Sequence, residues 1–127
     1  MDTRRKILTP EAALAHDPAR PLVLVSGYFD VLRAEHSREL ESVRIRTGAA
    51  TLMVAVLPLP GELLNQRARA ELVAAIRVVD YVVTADGAGM DPLIAALAPS
   101  SVARFEEADA RRTQELVEHV HRRQIRE

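Results

Sequence analysis

The sequence predicts an α/β domain in which a parallel sheet carries helices on both faces. Three observations lead there: continuous apolar runs at 22–25, 52–57 and 81–83, helical patterns between them, and connections short enough for right-handed crossovers. A strand covered on one face alternates apolar and polar residues. These runs do not alternate, so both faces are expected to be covered.

Thr9-Pro10-Glu11 is a good helix start, with an N-cap, a proline at the first helical position and an early acid, and the helix runs to about His16. Asp17–Pro21 is a turn, and Leu22–Val25 the first strand, expected at the centre of the sheet. After Ser26-Gly27 a helix beginning near His36 carries Leu40, Val43 and Ile45 to Gly48, its C-cap. Thr51–Leu57 is a second strand, and Pro58-Leu59-Pro60-Gly61 forces a loop. Arg67–Val78 reads as a helix with Leu72, Val73 and Ile76 on one face, Asp80–Thr84 as a third strand, and Ala85–Gly89 as a loop. Asp91–Leu97 is a short helix stopped by Pro99, Ser101–Phe105 a fourth strand, and Glu107–Arg123 a long charged helix. The order is βαβαβαβα, a Rossmann-like arrangement. Its ligands belong at the carboxyl ends of the strands, here Ser26–His36, Pro58–Gln66, Thr84–Gly89 and Phe105–Arg112.

The chain of 127 residues fits one domain, 1–127, with a core over 21–105 and a C-terminal helix over 107–123. With 48% apolar and 28% charged residues and a net charge of −1, it offers no general surface for nucleic acid or membrane. Cysteine is absent, which removes disulfides and thiolate chemistry. No apolar run reaches the roughly 18 residues that span a bilayer. The N-terminus is basic, breaks at Pro10 and turns acidic, a poor signal peptide, so a cytoplasmic location is expected. Lys6 is the single lysine, so no mechanism needing a lysine in the body of the fold is open.

The segment Leu22–Leu40, LVLVSGYFDVLRAEHSREL, is the most informative. A strand feeding a helix through a glycine turn points backbone N–H groups above the sheet edge, which is how α/β proteins hold phosphate. GYFDVLRAEHSREL resembles the signature of the cytidylyltransferase-like nucleotidyltransferases, G-x-F-D-x-x-H-x-G-H followed by a helix, here with a degenerate H-x-G-H. RAELVAAIRVVDYVV (Arg69–Val83) and DPLIAALAPSSV (Asp91–Val102) are similar to later segments of the family, glycerol-3-phosphate cytidylyltransferase and the adenylyltransferase domain of ADP-heptose synthase among its members. The resemblance spans about Pro21 to Arg104.

It implies the nucleotidyltransferase-like α/β phosphodiesterase fold. It also implies transfer of CMP or AMP from CTP or ATP to a small phosphorylated substrate with release of pyrophosphate, usually with Mg2+ and commonly in a homodimer. Carried over position by position, Gly27, Phe29 and Asp30 stand where the family has them, His36 matches the second histidine, and Arg69 matches the arginine of the R-x-E segment. The implied roles are nucleotide binding for Gly27, Tyr28, Phe29 and Arg69, catalysis for His36 and Arg33, and loop structure for Asp30 and Glu35. No metal ligands are implied among the side chains. The departures are as informative. Arg33 replaces the first histidine, Glu35 replaces the glycine between the histidines, and the loop Pro58–Gln66 has no lysine. The family's serine/threonine turn is reduced to Thr113.

A guanidinium at Arg33 still suits phosphate. A carboxylate at Glu35 satisfies the helix N-terminus and stands where a phosphate would go, and two anions so close oppose each other by several kcal/mol at low effective dielectric. Arg33 and Glu35 are also able to pair and close the pocket. Two readings stay open: a degenerate domain with nucleotide binding weak or lost and catalysis lost, or an active nucleotidyltransferase using Arg33 for histidine. On the first, Glu35→Gly with Arg33→His is expected to restore nucleotide binding. An unrelated Rossmann-like regulatory domain leaves the Arg69–Val83 match unexplained. His36 without a partner histidine is more often a helix-start residue than a catalyst, and His16, His119 and His121 lack ligand spacing. The charge run Glu106–Arg112 and the HRRQIRE tail read as solvated helix surface. Leu116, Val117 and Val120 form a stripe expected to dock on the sheet or on a second subunit.

Overall fold

The computed structural model describes residues 2–30, 32–85 and 90–126, apart from the side chains of 110, 112, 113, 119 and 121–126. After a 3-10 turn at Thr3–Lys6, the elements are β1 (Ile7–Leu8), α1 (Pro10–Ala15), β2 (Leu22–Gly27), α2 (Ala34–Thr47) and β3 (Thr51–Val56). There follow α3 (Gln66–Ala74), β4 (Tyr81–Thr84), α4 (Asp91–Leu97), β5 (Ser101–Arg104) and α5 (Glu106–Arg126).

The five strands form one parallel sheet in the order β1-β4-β3-β2-β5. Every residue of β2 and β3 is buried. Alternate residues serve opposite layers, as the pleat requires. Val23 and Val25 with Leu52, Val54 and Val56 face Leu40 and Val43 of α2 and Ala70, Val73 and Ala74 of α3. Leu22, Leu24, Met53 and Ala55 face Ala13 of α1 and Leu93 and Leu97 of α4. The fold is therefore a Rossmann-like α/β sheet covered on both sides, as the apolar runs require. Among the described residues no helix is long and apolar enough to cross a membrane.

The caps are where the sequence puts them. Thr9 accepts from the Ala12 N–H, and Gly48 caps α2 in the left-handed region at φ 63°.

Several expectations are corrected. The centre of the sheet is β3, not the Leu22–Val25 strand, because Ile7–Leu8 adds a strand beside β4 that moves the middle over by one. Two residues of apolar sequence carry too little periodicity to announce a strand. β2 extends to Gly27. α3 ends at Ala74, where hydrogen-bonded turns (Ile76 N–H to Val73, Val79 N–H to Ile76) replace the helix. Leu72 points outward and is exposed, while Arg69 takes the inward position. The loop expected over Ala85–Gly89 lies, from residue 86 on, outside the described residues.

α5 is corrected most. The run Glu106–Arg112 is a solvated face only in part: Glu107 and Arg111 are exposed, but Asp109 is buried and Glu106 reaches Ser26, and the side chain of Arg112 lies outside the described residues. Of the stripe, Leu116 is half-buried, but Val117 and Val120 are not docked on the sheet, being 52% and 46% exposed.

Candidate functional site: an acid-filled cradle at the end of β2

β2 ends in Ser26 and Gly27 and delivers Tyr28–Asp30 above the carboxyl edge of the sheet. Phe29 sits in the left-handed region at φ 53°, uncommon for a residue with a bulky side chain. In that conformation consecutive N–H groups turn the same way and form a small anion-binding concavity. Both point at one carboxylate oxygen: the Tyr28 and Phe29 N–H groups donate to Asp109 Oδ2 at 3.0 and 3.2 Å.

His36 completes the cradle. It is fully buried in the first turn of α2, and its Nδ1 accepts from the Arg33 N–H at 3.0 Å. That bond fixes the tautomer, so the ring proton sits on Nε2 and is donated to Asp109 Oδ1 at 2.9 Å. By accepting the N-cap N–H on its ring, the histidine does the work of a capping-box Glu or Gln, and its own N–H donates to the Arg33 carbonyl at 3.0 Å. Beside the cradle the Ser26 hydroxyl donates to Glu106. Phe29 lies between the rings of His36 and Phe105, at 5.7 and 6.4 Å between centroids, and closes the inner wall.

Gly27 takes its meaning from this packing. A Cβ there would stand 2.6 Å from Asp109 Oδ2 and 2.7 Å from the Phe29 ring. The glycine allows a close approach, and what approaches is the protein's own carboxylate.

Asp30 and Arg69 brace the surrounding loops. The Asp30 carboxylate accepts from the Leu63 and Leu64 N–H groups at 2.8 and 2.9 Å. Arg69 is fully buried, and its guanidinium donates to the carbonyls of Leu64 (3.0 Å), Tyr28 (2.7 Å) and Leu57 (2.8 Å) and to Glu62 (2.6 Å). With four of its five N–H donors bonded to three chain segments, Arg69 presents no paired fork to a phosphate.

Tyr28 is half-buried, and Arg33 is exposed at the N-cap of α2. Glu35 stands in the first turn of α2 and lines a cavity of about 580 Å³ with Arg38, Glu39, Ser42, Val43, Arg46 and Phe105. The carboxylate on the glycine-turn donors, expected from Glu35, comes from Asp109. Thr113 falls within α5 with its side chain outside the described residues, as do those of His119 and His121. Among the described residues no three or more His, Asp or Glu side chains are grouped to hold a metal ion.

Gly27, Tyr28, Phe29 and His36 therefore meet in one place, Asp30 and Arg69 brace its rim, the Arg33 backbone holds His36, and Glu35 lines the adjoining cavity. Sequence reasoning placed Ser26, Glu106 and Asp109 in segments at the ligand-bearing edge but singled out none of them. One signal was available: Phe105 and Asp109 are four apart, so the carboxylate shares the inward face of the helix with an aromatic ring.

As docked, these residues do not fit a nucleotide phosphate, because the two backbone donors and the imidazole already hold an anion.

No family model matches this chain, and no curated protein matches it. Among solved structures it is similar to the lipopolysaccharide core biosynthesis protein from Thermoplasma volcanium GSS1. The TM-score is 0.57 at 19% identity, over 64% of this chain and 70% of that one. At that identity the likeness is one of fold.

Proposed function

We propose that this chain is a degenerate nucleotidyltransferase-like domain that keeps the fold, binds nucleotide weakly or not at all, and has lost catalysis. The observation that carries this reading is the Asp109 carboxylate on the Tyr28 and Phe29 N–H groups and on His36 Nε2. A nucleotide phosphate would have to displace it or share the cradle with it, and two anions at low effective dielectric oppose each other strongly. The neighbouring groups support the same reading: Arg69 is spent on loop carbonyls, and Lys6, the single lysine, lies at the far edge of the sheet. CTP or ATP with Mg2+ is accordingly no cofactor of the docked form, and no phosphorylated acceptor is turned over.

Calorimetric titration of the wild-type chain with CTP and with ATP, with and without Mg2+, tests the reading. The expected result is no saturable heat below millimolar nucleotide. Tight, Mg2+-dependent binding, or pyrophosphate release with any phosphorylated acceptor, overturns it.

A further inference from the structure

We propose that Asp109 is a built-in ligand: α5 carries on its first turns a carboxylate that occupies and conceals a working oxyanion cradle. The inference rests on the reading above and goes one step past it, from a site that is filled to a site that is intact beneath what fills it.

The donors of the cradle all lie outside α5. Phe29 stands at φ 53°, which sets two successive N–H groups side by side. His36 is fully buried, and the Arg33 N–H fixes its tautomer so that Nε2–H faces the same point. Ser26 places a hydroxyl at the rim, and Gly27 leaves the space that a Cβ would fill. These donors come from β2, its following loop and α2, and none belongs to α5. The anion comes from α5 alone. Asp109 thus relates to the cradle as a ligand does, with one oxygen on two backbone N–H groups and the other on the imidazole.

The attachment is local. Glu106 and Asp109 lie one turn apart at the start of the helix, whereas Val117 and Val120 further along are exposed. Removing the Asp109 carboxylate should therefore free the two backbone N–H groups and the imidazole, with Glu106 still on Ser26, without dismantling the sheet. The probe is inorganic phosphate, whose oxygens suit donors that already hold two oxygens of a carboxylate.

The test compares D109A with the wild-type chain in sodium phosphate and in sodium chloride of matched ionic strength. Saturating phosphate is expected to raise the Tm of D109A by about 4 °C or more, while the wild type shows no phosphate-specific change. The Tyr28 and Phe29 amide resonances should move during the titration in D109A and stay fixed in the wild type. Where D109A is unfolded without phosphate, recovery of its α/β spectrum on adding phosphate supports the cradle. D109N, which keeps the side-chain volume, carries the same titration. Absence of a phosphate response in both variants, or an equal response in the wild type, overturns the inference. The two proposals fail separately. Nucleotide binding to the wild type removes the degenerate reading, whereas a phosphate-silent D109A removes only the cradle.

Discussion

Arg69 shows how far a family motif can be read from a single residue. The R-x-E segment is legible in the sequence, but its chemistry depends on what surrounds the guanidinium, and here that is the backbone of two loops and Glu62. Arg69→Met should cost about 3 kcal/mol or more, because buried carbonyls of Tyr28, Leu57 and Leu64 lose their donor. Arg69→Lys should recover little of this, since one ammonium cannot reach so many acceptors in a plane. Urea unfolding of both variants checks the order. Gly27→Ala should be destabilising by about 1–3 kcal/mol through the overlap with Asp109 and Phe29. In a D109A background part of that cost should vanish, and the remainder is the Phe29 ring. A double-mutant cycle by thermal melts reads the coupling, and strict additivity would contradict the close approach.

At the level of elements, β2 to β5, α1, α4 and the C-terminal end of α2 were legible, because the apolar runs, Thr9-Pro10 and Gly48 each carry a local physical signal, whereas the two residues of β1 carry none. The inward face of α3 was legible in part. Periodicity put Leu72 beside Val73 and Ile76, and the fold keeps Val73 and Ile76 against the core but turns Arg69 inward in place of Leu72, because a hydrogen-bonded arginine is stable where an unbonded one is not. Leu72→Glu should therefore change stability by less than about 0.5 kcal/mol, whereas Val73→Glu should unfold the chain or come close to it. The acids of α5 were illegible for a related reason. Charge alone reads as solvent-facing, and only the position of Gly27 beneath the helix turns Asp109 into a buried partner. Asp109 and Glu106 differ from Glu107 and Glu118 in their surroundings rather than their chemistry, and a single sequence does not display surroundings.

At the level of the whole molecule, the half-bare α5 bears on self-association. Val117 and Val120 share an exposed side of that helix, and the expected homodimer would cover it with a second copy. Sedimentation at micromolar concentration should show a dimer, and V117E with V120E should return a folded monomer whose Tm, unlike that of the wild type, does not rise with protein concentration. A monomeric wild type would remove this expectation and leave the cradle untouched, because none of the cradle's donors lies on α5.

The position of β5 at the rim of the sheet has a different consequence. It bonds to β2 on one side, and the burial of its residues alternates, with Val102 and Arg104 outward. A strand that ends a sheet is a template on which a foreign or misfolded chain can grow, and nature blunts such templates with charge. Arg104 is the charge within this one, and Pro99 lies just ahead of it in the approach to the strand. The guanidinium then has value during synthesis and refolding rather than in the finished molecule. Arg104→Val should leave the melting curve nearly unchanged and yet increase light scattering during refolding from urea.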